Sequence, residues 1–265
     1  MTMSRWMLPA LGLAGLTVLV LARRKRSFGL SSEQHQVLLD ALKELARRFF
    51  PVCQDLASIA KTVRTKMQAS AVEIPEGTLQ EQLLRQCQVF EKLQQIQSEV
   101  AAQYHLSEAE FQEMQENNED TQVQSYTAGF QSMLNEALKG NSPVLPNVKI
   151  PELLSKEMAL KILECAHVKE AKEALAIVKG NRCSLKELGE VLNAAHRVAW
   201  QKAIEENSNI LGEHGSEVYH SVVALYEQSS KEFSAEKSQL EERHQAKMIT
   251  IFEPDGNGHV NVRRP

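Results

Sequence analysis

The chain is poor in the residues on which most folds other than helical ones depend. Its 265 residues include 12 glycines, 8 prolines and 5% aromatic residues. So few aromatic rings argue against a β-sandwich core and against platforms on which nucleic-acid bases stack. Of the 34 acidic residues, four are aspartates, at Asp40, Asp55, Asp120 and Asp255. Because glutamate favours helices and aspartate does not, this imbalance predicts an all-α fold.

Cysteine and net charge exclude further classes of protein. The four cysteines are scattered with no C-x-x-C pair, at Cys53, Cys87, Cys165 and Cys183. This spacing argues against a structural zinc site and a dense disulfide scaffold, and it predicts free thiols in a reducing compartment. For a secreted chain, two disulfides are the alternative. The net charge of −4 supplies no basic field to recruit nucleic acid, so no nucleic-acid partner is expected.

The usual sequence signatures of enzymes are missing as well. The sequence holds no glycine-rich phosphate loop, no G-x-S-x-G nucleophile elbow and no H-E-x-x-H zinc motif. We therefore expect no cofactor and favour a function that is not enzymatic, although catalytic groups can also assemble from distant positions in the sequence.

One long apolar run, residues 6–22 (WMLPALGLAGLTVLVLA), stands out against this polar background. Seventeen residues form a helix of roughly 26 Å, which is long enough for a thin bilayer. Four cations follow the run and one, Arg5, precedes it, so the positive-inside rule predicts that the rest of the chain faces the cytosol. The residues predicted to form the anchor are Trp6, Leu11, Leu16, Val20, Leu21, Arg23, Arg24, Lys25 and Arg26.

This reading predicts a single-pass membrane protein whose residues 6–22 contact the lipid bilayer. A short anchor with a basic C-terminal flank resembles the signal anchors of the outer mitochondrial membrane, and the endoplasmic reticulum is the alternative location. Two other readings are a buried helix of a soluble protein and a cleavable signal peptide, the latter with Val20, Leu21 and Ala22 as its cleavage site. Cleavage there would make residues 23–265 a secreted or lumenal helical protein.

The sequence divides the chain into five segments. Residues 1–26 are the predicted signal anchor, and residues 27–139 form a glutamine-rich helical half. Residues 140–151 form a linker, because three prolines and a glycine cannot continue a helix. Residues 152–249 form an alanine-rich helical half, in which the small side chains allow close helix packing. Residues 250–265 are the tail.

About six to seven helices are predicted across the two halves. The first begins near Ser31, where S-x-x-Q has capping-box spacing, and Pro51 is expected to kink or split it. A second runs from Thr78 to about Tyr104, and its glutamines indicate either a coiled coil or a solvated face of a bundle. A final long helix covers 216–248. Alternating apolar residues around P-D-G-N-G then predict a C-terminal β-hairpin or irregular tail.

Three Glu-x-x-His pairs are the best candidates for chemistry. They are Glu164/His167, Glu217/His220 and Glu241/His244. A three-residue step puts carboxylate and imidazole on one helix face, as in ferritin-like di-iron sites. The first pair lies on an apolar stripe, where a charged carboxylate needs a partner. The alternative is that the pairs are ordinary hydrogen bonds or solvated surface pairs.

The sequence as a whole therefore predicts an anchored helical module that binds other proteins. It would act as a tether, receptor or scaffold at an organelle surface, through a protein partner that the sequence does not identify. The alternatives are a helical metalloenzyme that uses Glu164, His167, Glu217 and His220 as ligands, and a secreted or lumenal helical protein.

Overall fold

The computed structural model describes residues 31–116, 120–178, 182–255 and 257–263. Contacts divide the chain into two compact units, of which unit 1 ends at Val148 and unit 2 begins at Lys149. The described residues form ten helices and three short strands. This mostly helical architecture agrees with the all-α prediction, but the helices are more numerous and shorter than the six to seven expected.

Unit 1 is built on one long helix. Its described residues form five helices, which are α1 (Ser32–Ser70), α2 (Glu76–Gln86), α3 (Val89–Gln103), α4 (Glu108–Glu116) and α5 (Thr121–Lys139). Helix α1 begins with the predicted capping box, in which the Gln34 N–H donates to the Ser31 hydroxyl at 3.2 Å. Leucine and phenylalanine side chains of α1 fill the core, together with apolar residues of α3 and α5.

Of the two expected effects of Pro51, a kink or a split of the first helix, the split does not occur. Helix α1 continues through Pro51, which is exposed. A proline inside a helix costs about 3 kcal/mol. On either side of it, Phe49, Phe50, Cys53 and Leu56 are all at most 1% exposed. Burial of these side chains offsets the cost, since each large apolar side chain contributes about 1.5–3 kcal/mol.

A break not expected from the sequence separates α2 from α3. The predicted helix from Thr78 to Tyr104 is interrupted at Cys87 and Gln88, where Gln88 has a φ of 52°. A non-glycine residue in this left-handed region cannot continue a right-handed helix. The glutamine-rich segment is therefore two helices packed in unit 1, and Val89, Val100 and Ala101 of α3 are buried in its cores.

Unit 2 combines five helices with a small sheet. The helices are α6 (Lys156–Ile177), α7 (Leu185–Glu206), α8 (Ser208–Leu211), α9 (Gly215–Ser229) and α10 (Lys231–Ile251), and the strands are β1 (Arg182–Ser184), β2 (Phe252–Pro254) and β3 (His259–Val262). Helices α6 and α7 pack through alanines, and α10 lies against α6. The sheet covers one end of this group with Phe252, Val260 and Val262.

The predicted C-terminal hairpin is confirmed, and the structure adds a strand to it. Strands β2 and β3 pair antiparallel, with Phe252 opposite Val262. Strand β1, which the sequence did not predict, pairs on the other side of β3, so the strand order is β1-β3-β2. A three-residue strand carries too little apolar alternation to be recognised without its neighbours.

The predicted helix 216–248 is also two helices. Helix α9 ends at Ser229, and Ser230 takes an extended conformation with φ −145° and ψ 114°. The Phe233 N–H donates to the Ser230 hydroxyl at 3.3 Å, so this serine is the N-cap of α10. Phe233 is buried beside α9, where its ring lies 5.4 Å from that of Tyr226.

The membrane prediction requires correction. In the ranges described above, no helix combines the length and the apolar character that crossing a bilayer requires. The predicted anchor at 6–22, its basic flank at 23–26 and the alternative cleavage site at Ala22 lie outside those ranges. The described helices instead carry charged faces beside their apolar ones. The fold class is therefore corrected to all-α with a small C-terminal sheet, and the single-pass membrane assignment and its two organelle locations are withdrawn.

Candidate functional site

The functional features of unit 2 follow from the close packing of α6 against α7. The facing residues are fully buried alanines, namely Ala159, Ala166 and Ala174 on α6 and Ala195, Ala199 and Ala203 on α7. Small side chains let two helices approach closely, so longer polar side chains on the flanks of the contact reach across to the neighbouring helix. Lys202 of α7, for example, binds Glu173 of α6 at 2.6 Å.

Four polar side chains from three helices meet beside this contact. His167 and Glu170 lie on α6, His196 on α7 and His244 on α10. The Glu170 carboxylate is 3.1 Å from His196 Nδ1 and 3.5 Å from His244 Nε2. The rings of His167 and His244 stack with centroids 4.1 Å apart and planes inclined by 5°. We call these four residues the histidine cluster.

The cluster sets the charge state of its carboxylate. Burial opposes the ionisation of Glu170, but the hydrogen bonds to His196 and His244 outweigh it and lower the pKa of Glu170 to about 2. At neutral pH the carboxylate is therefore an anion that accepts hydrogen bonds from helices α7 and α10. It links three helices of unit 2 through a single side chain.

The surroundings of His167 favour its neutral form, whereas those of Glu170 favour its charged form. Burial, followed by the proximity of His244, lowers the pKa of His167 to about 4. The imidazole is consequently neutral at physiological pH, which is compatible with ring stacking on a second histidine. Protonation of this ring would place a positive charge against that neighbour in a half-buried position.

The structure does not bring the predicted metal ligands together. Glu164 is exposed, so the expectation of a carboxylate that needs a partner on an apolar stripe is wrong. His167 belongs to the histidine cluster. Glu217 is half-buried on α9. The ring of His220 packs 5.1 Å from Trp200 and 5.5 Å from Tyr219, and burial lowers its pKa to about 4. In the described segments no group of three or more histidine, cysteine or acidic side chains is placed to hold a metal ion.

A groove opens on the surface of unit 2 beside the histidine cluster. It has a volume of about 340 Å³. Its lining residues come from α6, from the last turns of α10 and from the residue after β3, and they are Val168, Ala171, Lys172, Leu175, Lys247, Thr250, Ile251 and Arg263. The floor is apolar, and all three charged residues in this set are cations. We call this feature the basic groove.

The cleft of unit 1 has a different character. It measures about 510 Å³, and it is lined by Val52, Asp55, Ser58, Ile59, Gln86, Cys87, Gln88 and Lys92. One acid and one base give it no net charge, and its other polar groups are amides, a hydroxyl and a thiol. Burial raises the pKa of the Cys87 thiol, so this cysteine is not an activated nucleophile.

All four cysteines are free thiols. Cys53 is fully buried in the core of unit 1, and burial raises its pKa far above the usual value. A thiol in such an environment behaves as a small apolar side chain. The prediction of free thiols is confirmed for all four cysteines, of which Cys53 is buried and the other three are half-buried.

Comparison of the chain with protein-family models, with curated proteins and with solved structures finds no match.

Proposed function

We propose that the chain is a helical protein-interaction module, acting as a scaffold or adaptor, and that the basic groove is its binding surface. The observation that carries this proposal is the apolar floor that α6 and α10 leave open at the surface. Val168 is 40% exposed there. Apolar side chains grouped in a surface groove and rimmed by polar ones are typical of sites that bind protein segments.

The metalloenzyme alternative has no comparable support. A di-iron site needs carboxylates and imidazoles from four helices around one point. Here Glu164 is exposed, and His220 packs against aromatic rings. The histidine cluster uses its carboxylate to join helices, which is a structural role. We therefore do not propose metal-dependent catalysis.

The test of the proposed function compares two valines of similar exposure. Val168 lines the basic groove, whereas Val198 of α7 is 37% exposed and does not line it. Three forms of the full-length chain are purified from native extract together with the proteins bound to them: the unmodified chain, Val168→Glu and Val198→Glu. The bound proteins are quantified by mass spectrometry. Partner binding would strip the water from a carboxylate in the groove floor, which costs binding free energy. We therefore expect at least a tenfold loss of bound partner for Val168→Glu.

Partners that persist with Val198→Glu and disappear with Val168→Glu support the proposal. The same set of proteins with all three chains would show that the groove is not a binding surface, provided that circular dichroism shows equal helix content. Loss with both variants would place the interaction on a broader surface and would likewise contradict the proposed groove.

A further inference from the structure

The basic groove has the shape that accommodates a helix. Along α6, Val168, Ala171 and Leu175 follow one another at steps of three and four residues, so they form one stripe. On α10, Lys247 and Ile251 are also one turn apart. The floor therefore runs between two neighbouring helices over about 10 Å, or two helical turns. A third helix packs into such a groove by placing its own apolar ridge between them.

The rim of the groove is positive on both sides. Lys172 stands on α6 and Lys247 on α10, and both side chains are exposed. Across the described residues, neither lysine has a salt-bridge partner, whereas Arg263 pairs with Glu253. Unpaired cations of this kind on opposite rims attract a ligand that carries negative charge on both of its flanks.

The nearby carboxylates of α6 do not neutralise these lysines. Glu170 belongs to the histidine cluster, and Glu173 binds Lys202 of α7 at 2.6 Å. Glu173 is thus directed towards α7, and Glu170 is held between His196 of α7 and His244 of α10. Among the α6 residues that line the groove, Lys172 is the one that carries a charge.

We infer that the basic groove binds an acidic amphipathic α-helix of a partner protein, with an apolar stripe facing Val168, Leu175 and Ile251 and with carboxylates on both flanks facing Lys172 and Lys247. This inference rests on the proposed function and adds the chemistry of the partner. The apolar stripe supplies most of the affinity, while the flanking acids select the partner and fix its orientation.

The test uses a synthetic peptide with this pattern. A fluorescein-labelled peptide of about 18 residues, long enough to form a helix, carries leucines along one stripe, glutamates on both flanks and alanine elsewhere. A matched peptide has lysine in place of every glutamate. Binding to the full-length chain is measured by fluorescence anisotropy at low and at moderate ionic strength.

Charge reversal on the protein provides the decisive comparison. We expect the double variant Lys172→Glu/Lys247→Glu to bind the glutamate peptide at least tenfold more weakly, and to gain affinity for the lysine peptide. The control is Lys161→Glu, which changes a 62% exposed lysine of the same helix outside the groove. This control is expected to change the affinity by less than about twofold. Added salt should weaken binding of the glutamate peptide to the unmodified chain.

Three results would overturn the inference. One is equal binding of the glutamate and lysine peptides, and another is binding that the double charge reversal leaves unchanged. The third is binding of oleate with the same dependence on both lysines while the peptide fails to bind, which would assign the groove to an anionic lipid.

Failure of the inference and failure of the proposed function can be told apart. If native partners are lost with Val168→Glu but the glutamate peptide does not bind, the groove is an interaction surface for a partner of different chemistry, and the inference is wrong. If the peptide does not bind and no native partner depends on Val168, both statements are wrong.

Discussion

Unit 1 and unit 2 are both helical, but helices that pack closely in each unit do so through side chains of different size. In unit 1, α1 packs against α3 and α5 through leucines and phenylalanines such as Leu42, Phe49 and Phe50. In unit 2, α6 packs against α7 through buried alanines. Large side chains fill the space between helices with apolar atoms, whereas alanines bring the helix backbones close together.

The difference in packing accounts for the position of the polar features. Where two helices approach closely, side chains on the flanks can span the contact, and the ion pair of Glu173 with Lys202 and the hydrogen bond of Glu170 with His196 both do so. In unit 1, ion pairs between helices, such as Arg64 with Glu76 and Arg48 with Glu99, join α1 to α2 and to α3. Between α6 and α7, small residues thus let flanking side chains meet in the histidine cluster, whereas large side chains fill the space between α1 and the helices packed on it.

The largest loss of stability is expected from truncating a core side chain of unit 1. Phe49 is 1% exposed, and its ring lies 6.5 Å from that of Phe130. Phe49→Ala leaves a cavity and should lower the free energy of unfolding by about 3–5 kcal/mol. Urea denaturation followed by circular dichroism measures this loss. The control is Phe90→Ala in the same unit, where the side chain is 46% exposed and the expected loss is below about 1 kcal/mol. Equal losses would show that unit 1 does not depend on large buried side chains.

An intermediate loss of stability is expected from enlarging a residue between the closely packed helices α6 and α7 of unit 2. Ala199 of α7 is fully buried. Ala199→Leu forces α6 and α7 apart or puts the new side chain into a strained rotamer, and should cost about 1–3 kcal/mol. Ala176→Leu, at an exposed position of α6, is the matched control and should change stability by less than about 0.5 kcal/mol. If Ala199→Leu stabilised the protein, the contact would contain unfilled space and the contrast between the units would be lost.

Local signals in the sequence predicted several parts of this fold correctly. The S-x-x-Q pattern at Ser31 marks the true start of α1, where it forms a capping box. The turn residues 254–258 marked the hairpin. These features are predictable because each depends on residues that are close in sequence.

Features set by tertiary packing were not predictable in the same way. The break at Gln88 and the continuation of α1 through Pro51 depend on which side chains the core buries. The apolar stripe that carries Glu164 and His167 was recognised from its spacing, but spacing cannot show whether another element covers it. A helix face is apolar in the same pattern whether it lies in a core or lines a groove.

The histidine cluster was missed for a specific reason. Only pairs with the glutamate first, as in Glu164/His167, were considered as helical carboxylate–imidazole pairs. The carboxylate that joins the cluster is Glu170, three residues after His167 on the same helix. A search in both directions would have found this pair, whereas His196 and His244 are brought to it by two other helices and need the tertiary structure.

The smallest expected effect is a change in the free energy of unfolding with pH, caused by the titration of His167 in unit 2. Its pKa is about 4 in the folded protein and near 6.5 in the unfolded chain. The unfolded chain therefore takes up the proton first as the pH falls, and the stabilisation present above pH 6.5 is lost between pH 6.5 and 4. Because the side chain is only half-buried, solvent screens much of this shift, and we expect a loss of about 1 kcal/mol.

The free energy of unfolding is measured between pH 7 and 5. Glu170 has a pKa of about 2 in the folded protein, and its contribution to stability is lost below this interval. His167→Asn should make stability flatter over this interval, because asparagine does not titrate and has a similar helix propensity. The control is His105→Asn in unit 1, an exposed residue with a φ of 56° that asparagine tolerates. The control should retain the slope of the unmodified chain. An unchanged slope in His167→Asn would mean that the stacked histidines cost unit 2 nothing on acidification, and that the histidine cluster does not distinguish the two units in their response to pH.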